Sequence, residues 1–83
     1  MGLDTVEFLL YAEKEFDIKI SDDEAGSVTT MGEFTRLCHQ KLKSGLDDEQ
    51  VFTRLKAILH QHFVDANLEI KREHAIVKDL GLD

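Results

Sequence analysis

Four histidines, one cysteine and two adjacent aspartate pairs are the residues of this 83-residue chain suited by type to metal binding or acid–base work. His60 and His62 stand two apart, and on a helix such positions diverge by about 200°, so they cannot share one ion. Cys38 and His39 are neighbours and diverge as well, and His74 stands alone. Asp22-Asp23 and Asp47-Asp48 fall where helices would begin, and capping explains them. The acidic stretch from Asp17 to Glu24 lacks the alternating acids and central glycine of a calcium loop. No nucleophile–base pair and no glycine-rich phosphate loop is visible, so neither catalysis nor a metal site is expected. A single cysteine forms no internal disulfide, which excludes a stapled secreted mini-protein, and Cys38 reads as a small buried hydrophobe.

The positions that carry these residues must come from one small core, because a chain this short holds a single domain. Hydrophobic residues make up 42% and charged residues 33%, a balance that suits a folded domain rather than disorder. Proline and tryptophan are absent, which favours helices with short connections. The net charge of −7 and the lack of a basic stripe argue against nucleic acid and against an anionic membrane. Residues 1–24 hold eight acids against Lys14 and Lys19, so the expected partner is a protein with a basic surface. No apolar run approaches the roughly 20 residues that span a bilayer, the start has no signal-peptide pattern, and a cytoplasmic location is expected.

Apolar periodicity predicts an all-α fold of four helices, one of them short. Val6, Leu9, Leu10, Ala12 and Phe16 form a broad apolar face, with Asp4 and Glu7 in the form of a capping box. Asp17-Ile18-Lys19-Ile20 reads as an extended link. A short helix follows over about Asp22 to Gly26, with acids at its N-terminus. Thr30 and Glu33 form a second capping box before Met31, Phe34, Leu37, Cys38 and Leu42, a helix ending near Lys43. After a linker near Lys43 to Leu46, Asp47 or Asp48 caps a long helix through Val51, Leu55, Ile58, Leu59 and Phe63. Beyond Val64, Leu68, Ile70, Ile76, Val77 and Leu80 suggest a long anchored loop with one short helical turn.

Two segments carry a resemblance. Leu3-Asp4-Thr5-Val6-Glu7, then Glu13 to Ile20 and Asp22-Asp23-Glu24-Ala25, with Thr29-Thr30 leading into the next helix, is similar to an acyl carrier protein from its second helix onward. The helix from Val51 to Phe63, the loop after it and Asp79-Leu80-Gly81-Leu82-Asp83 resemble the beginning of the same family. The order is rotated: 1–43 resembles family helices two to four, 44–48 is a linker, and 49–83 resembles helix one and the long loop. The resemblance thus implies a circularly permuted acyl-carrier-like four-helix bundle within one domain, 1–83. Joining Asp83 to Gly2 would restore the usual order, and permutation is tolerated where termini lie close.

The resemblance implies a non-enzymatic protein of fatty-acid or polyketide metabolism, carrying 4′-phosphopantetheine on a serine and docking acyl-transfer or synthase enzymes with basic patches. In this chain Gly2 occupies the serine position and has no hydroxyl, and Thr5, one turn on, is the nearest alternative acceptor. Leu3, Asp4, Glu7, Leu10 and Glu13 match the family's partner-binding helix, although Lys14 stands where many members are acidic. An unmodified interaction module and a non-covalent binder of hydrophobic ligands are the alternatives. Phe8, Phe16, Ile20, Phe34, Ile58 and Phe63 are the candidates for lining an apolar cavity, with plain core packing as the competing reading. A monomer is expected; a connection too short to fold back would place the last helix on a second chain, as a swapped dimer.

Overall fold

The computed structural model describes residues 3–43 and 45–82. Four helices follow one another as α1 (Leu3–Phe16), α2 (Asp22–Gly26), α3 (Met31–Lys41) and α4 (Asp48–His62). Among the described residues there is no strand, and an isolated antiparallel bridge joins Thr30 to Ala75.

Local chemistry sets where α2, α3 and α4 start. Each begins with a reciprocal capping box: Ser21 with Glu24, Thr30 with Glu33, and Asp47 with Gln50. A side-chain oxygen at the cap satisfies one orphan helix amide, and the residue three positions on returns the bond to the cap's own N–H. The box expected from Asp4 and Glu7 does not form. Helix α1 already includes Leu3, which places Asp4 inside the first turn, where an acid complements the positive end of the helix dipole.

Between α1 and α2 the chain turns at Asp17, which adopts a left-handed φ of 53°. Two bonds from Glu13 brace this turn: its carbonyl accepts from the Ile18 amide at 3.0 Å and its carboxylate from the Ile20 amide at 2.7 Å. Short polar residues tolerate this conformation better than branched ones do, and the site falls to an aspartate.

The core is built from Phe8, Ala12 and Phe16 of α1, Met31, Phe34 and Cys38 of α3, and Val51, Phe52, Leu55, Ile58 and Leu59 of α4. Helix α4 packs on α3 and on α1 of its own chain. The loop after α4 contributes Ile70, Ile76, Leu80 and Leu82 to the same core. Leu68 and Val77, expected among the anchors, are exposed instead. One helix-like turn does form, closed by the Asp79 amide on the Ala75 carbonyl at 2.9 Å, and Gly81 ends it with φ of 78°.

Backbone bonds hold that loop on the head of α3. Met31 donates to the His74 carbonyl at 3.0 Å and Gly32 to the Arg72 carbonyl at 2.8 Å, while Ile76 donates to the Thr29 carbonyl at 2.9 Å. Two α3 amides that would otherwise lack partners are thus satisfied by the loop. Glycine at 32 permits the approach, since a Cβ there would stand 3.2 Å from the Arg72 carbonyl oxygen. Arg72 also bridges to Asp48 and Glu49 at the start of α4 and lies over the Phe52 ring, 4.6 Å from its centre. Arg72 thus ties the loop to both α3 and α4.

Candidate functional site

Helix α1 has two faces. Phe8, Ala12 and Phe16, spaced four apart, are buried, whereas Leu3, Val6 and Leu10 are 73%, 39% and 58% exposed. Val6 and Leu10 therefore do not belong to the buried stripe that their spacing suggested. The true stripe runs through Phe8, Ala12 and Phe16, and the i, i+3, i+7 series Leu3, Val6, Leu10 forms a ridge on the outside. Glu7 is exposed beside this ridge and Asp4 is half-buried. Apolar side chains clustered on an acidic surface are the feature that calls for explanation here.

The ridge continues into a shallow groove of about 270 Å³ lined by Glu7, Leu10, Tyr11 and Lys14. Tyr11 closes it toward α4 by stacking on His62, with ring centres 4.2 Å apart and planes 10° from parallel. The Tyr11 ring also meets Phe63 edge-on at 5.9 Å. Sequence spacing could not pair Tyr11 with His62, because the contact depends on how α1 crosses α4.

Of the five residues expected on a partner-binding face, Leu3, Asp4, Glu7 and Leu10 lie along the first two turns of α1. Glu13 lies ten residues beyond Leu3, about 15 Å along the helix axis. It is half-buried, with one carboxylate oxygen engaged by the Ile20 amide. Its observed role is to brace the turn into α2.

Behind the ridge, α1 forms one wall of an apolar cleft of about 310 Å³. Thr5, Phe8 and Leu9 line it from α1, Phe34 from α3, and Ile76 and Val77 from the loop. The volume falls at the small end of the range for ligand pockets, roughly 300–1,000 Å³. Phe8 and Phe34 meet at 5.2 Å between ring centres and form its floor. Phe16, Ile20, Ile58 and Phe63 do not line it: the first and third lie in the core, and the other two pack against it.

A phosphopantetheine arm requires a hydroxyl at the head of a helix. Gly2 lies outside the described residues, and glycine has no hydroxyl in any case. Ser21 is the cap of α2, and the Ser27 hydroxyl donates to the Glu24 carbonyl at 2.8 Å. Neither stands at the head of α1. Thr5 is in the first turn of α1, half-buried at the cleft. The described residues therefore do not fit the attachment of such an arm through a serine.

Three of the four histidines are engaged separately. The His60 ring lies 2.8 Å from the Leu68 carbonyl, His62 stacks on Tyr11, and His74 Nδ1 accepts from the Lys71 amide at 3.1 Å. No group of three His, Cys, Asp or Glu among the described residues is placed to hold a metal ion. Burial pushes the Cys38 thiol up to about 12, far from thiolate reactivity. No helix among the described residues is long and apolar enough to cross a membrane.

Known proteins bear on this geometry. The chain is 49% identical over 40 residues to an acyl carrier protein of Picosynechococcus sp., a match covering 48% of the chain and 49% of that protein. It is 42% identical over 51 residues to an acyl carrier protein of Karelsulcia muelleri, covering 61% of the chain and 57% of that protein. The chain thus spans about half the length of the curated relatives it matches. No family model and no solved structure matches it. With four helices, an exposed apolar ridge and these matched stretches, the chain resembles the acyl carrier protein family.

Proposed function

We propose that this chain is a non-enzymatic, carrier-type domain of fatty-acid or polyketide metabolism that presents the outer face of α1 to partner enzymes. The observation that carries this reading is the ridge of Leu3, Val6 and Leu10, exposed beside Asp4 and Glu7. Apolar residues on such a ridge gain by burial against a partner, and the acids steer a basic surface toward it. At physiological salt only charges within about 8 Å of their target act strongly, so Asp4 and Glu7 serve close to the ridge. The partner is a synthase or acyltransferase whose basic patch rims an apolar pocket.

The rotated order of the family segments belongs to the same proposal. Thr5 and Leu9, near the beginning of the chain, wall one cleft with Ile76 and Val77, near its end. That proximity supports reading 49–83 as the family's first helix and loop, 1–43 as helices two to four, and 44–48 as the bridge between the old termini. The connection from α3 reaches far enough for α4 to pack on α3 and α1 within one chain, as a permuted monomer requires.

A second reading rests on the missing serine: an unmodified interaction module that keeps the docking face without the arm. Both readings require α1 to dock, and binding to an immobilised synthase or acyltransferase tests it. Glu7→Lys and Leu10→Ala are each expected to weaken binding about three- to tenfold, with wild-type binding falling as salt rises. Unchanged affinity in both variants contradicts docking through α1.

A further inference from the structure

Glu7, Leu10, Tyr11 and Lys14 line one shallow groove on α1, and their spacing of i, i+3, i+4 and i+7 is that of a single helical stripe. All four are exposed. The stripe is bipolar, with an acid at its start and a base at its end. Seven residues separate Glu7 from Lys14, about 10 Å along the axis, and among the described residues neither has an ion-pair partner. Leu10 and Tyr11 flank the line between the two charges on opposite sides, since each residue advances about 100° around the helix.

We infer that this stripe is a contact between two copies of the chain, packed antiparallel across a two-fold axis midway between Leu10 and Tyr11. A stripe that is acidic at one end and basic at the other complements itself when reversed. Glu7 of each copy then lies opposite Lys14 of the second copy, and the symmetry forms that pair twice. Leu10 meets its counterpart on one side of the pairs and Tyr11 meets its counterpart on the other. Apolar surface that each chain alone exposes is thereby removed from water.

The neighbouring charges fit the same register. Asp4 lies one turn before Glu7, so Lys14 of the second copy meets an acidic end rather than a lone carboxylate. Glu15, beside the stripe, is already held by Arg54 at 3.1 Å. With a net charge of −7 on each copy and a contact of one helix face, the association is weak and transient. It leaves α4 on α3 and α1 of its own chain, and so differs from a domain swap. The contact covers Glu7 and Leu10, so self-association competes with enzyme docking through α1. That consequence rests on the function proposed above, whereas the contact itself does not.

Sedimentation velocity on the full chain between about 10 μM and 1 mM tests the contact, a range suited to a small interface. The wild type should shift from monomer toward dimer as concentration rises. Lys14→Glu and Glu7→Lys, each alone, should weaken association at least about tenfold, because the symmetry counts each substitution twice. An equimolar mixture of the two variants should associate again, since each then supplies the charges that the other lacks. The double variant Glu7→Lys/Lys14→Glu should associate within about threefold of the wild type. A wild type that stays monomeric at 1 mM overturns the inference. So does association that survives Lys14→Glu, or a mixture no more associated than its components.

Discussion

At the head of α3 the amides of Met31, Gly32 and Glu33 are bonded to His74, Arg72 and Thr30, and the side chains of Met31, Phe34 and Cys38 are wholly buried. Along the outer face of α1 the residues at comparable helical spacing are Leu3, Val6 and Leu10, and all three face solvent. Both helices are amphipathic by sequence, yet α3 commits its apolar side to the core and its end to the loop, while α1 keeps apolar surface in reserve. The difference teaches that α1, unlike α3, carries two apolar faces, one in the core through Phe8, Ala12 and Phe16 and one exposed, so the outer face can be altered without touching the core.

The sharpest break of that comparison is a pair of truncations followed by urea unfolding. Phe34→Ala should cost about 3–5 kcal/mol, from lost burial and the cavity left behind. Leu10→Ala on the exposed ridge should change stability by less than about 0.5 kcal/mol. A large cost at Leu10 would mean that the ridge belongs to the core.

Gly32→Val probes the junction of α3 with the loop. A β-branched side chain must displace the Arg72 carbonyl that Gly32 itself holds, and the expected loss is about 1–3 kcal/mol. Near-neutral behaviour in thermal melts would show that the loop yields without consequence.

Acid should act next, on the capping boxes. The amides of Thr30 and Thr29 hold the Glu33 carboxyl below its ordinary 4.5, and the Ser21 amide and Lys41 do the same for Glu24. A lowered folded value means stabilisation that is full above the unfolded value and is lost as pH falls through the folded one. Melting temperatures should therefore drop below about pH 4.5, and less steeply in Glu33→Gln, which keeps an acceptor but has no proton to take up. Parallel curves for the two proteins would remove Glu33 from the account. The smallest effect is expected at Cys38: with its thiol pushed up to about 12 by burial, iodoacetamide should leave it unmodified in the folded protein and label it after unfolding.

Much of this arrangement was legible in the residues. Thr30 with Glu33 marked the start of α3, Asp47 or Asp48 marked α4, and the acids after Ser21 marked α2, because caps are local chemistry written over four residues. The head of α1 misled for the same reason, since the spacing of Asp4 and Glu7 imitates a box that the helix overruns. Which side of α1 faces inward was not legible: Val6 and Leu10 compete with Phe8 and Ala12 for the core, and only the packing of α4 decides between them. Glu13 likewise looked like a surface acid until the turn at Asp17 brought the Ile20 amide to it. Contacts such as Tyr11 with His62 and Arg72 with Phe52 join distant parts of the chain, and no local pattern announces them.

The central claim is that the chain carries the elements of an acyl carrier in rotated order and lacks its serine. Intact mass after treatment with coenzyme A and a broad-specificity phosphopantetheinyl transferase tests it most directly, on the chain as it stands and on a reordered chain. The reordered form runs from residue 49 to Asp83, through one inserted serine, to Leu3 and on to Lys43. The account predicts no gain for the first and one phosphopantetheine unit for the second. A gain on the chain as it stands, or none on the reordered chain while a working carrier is modified alongside, would contradict it.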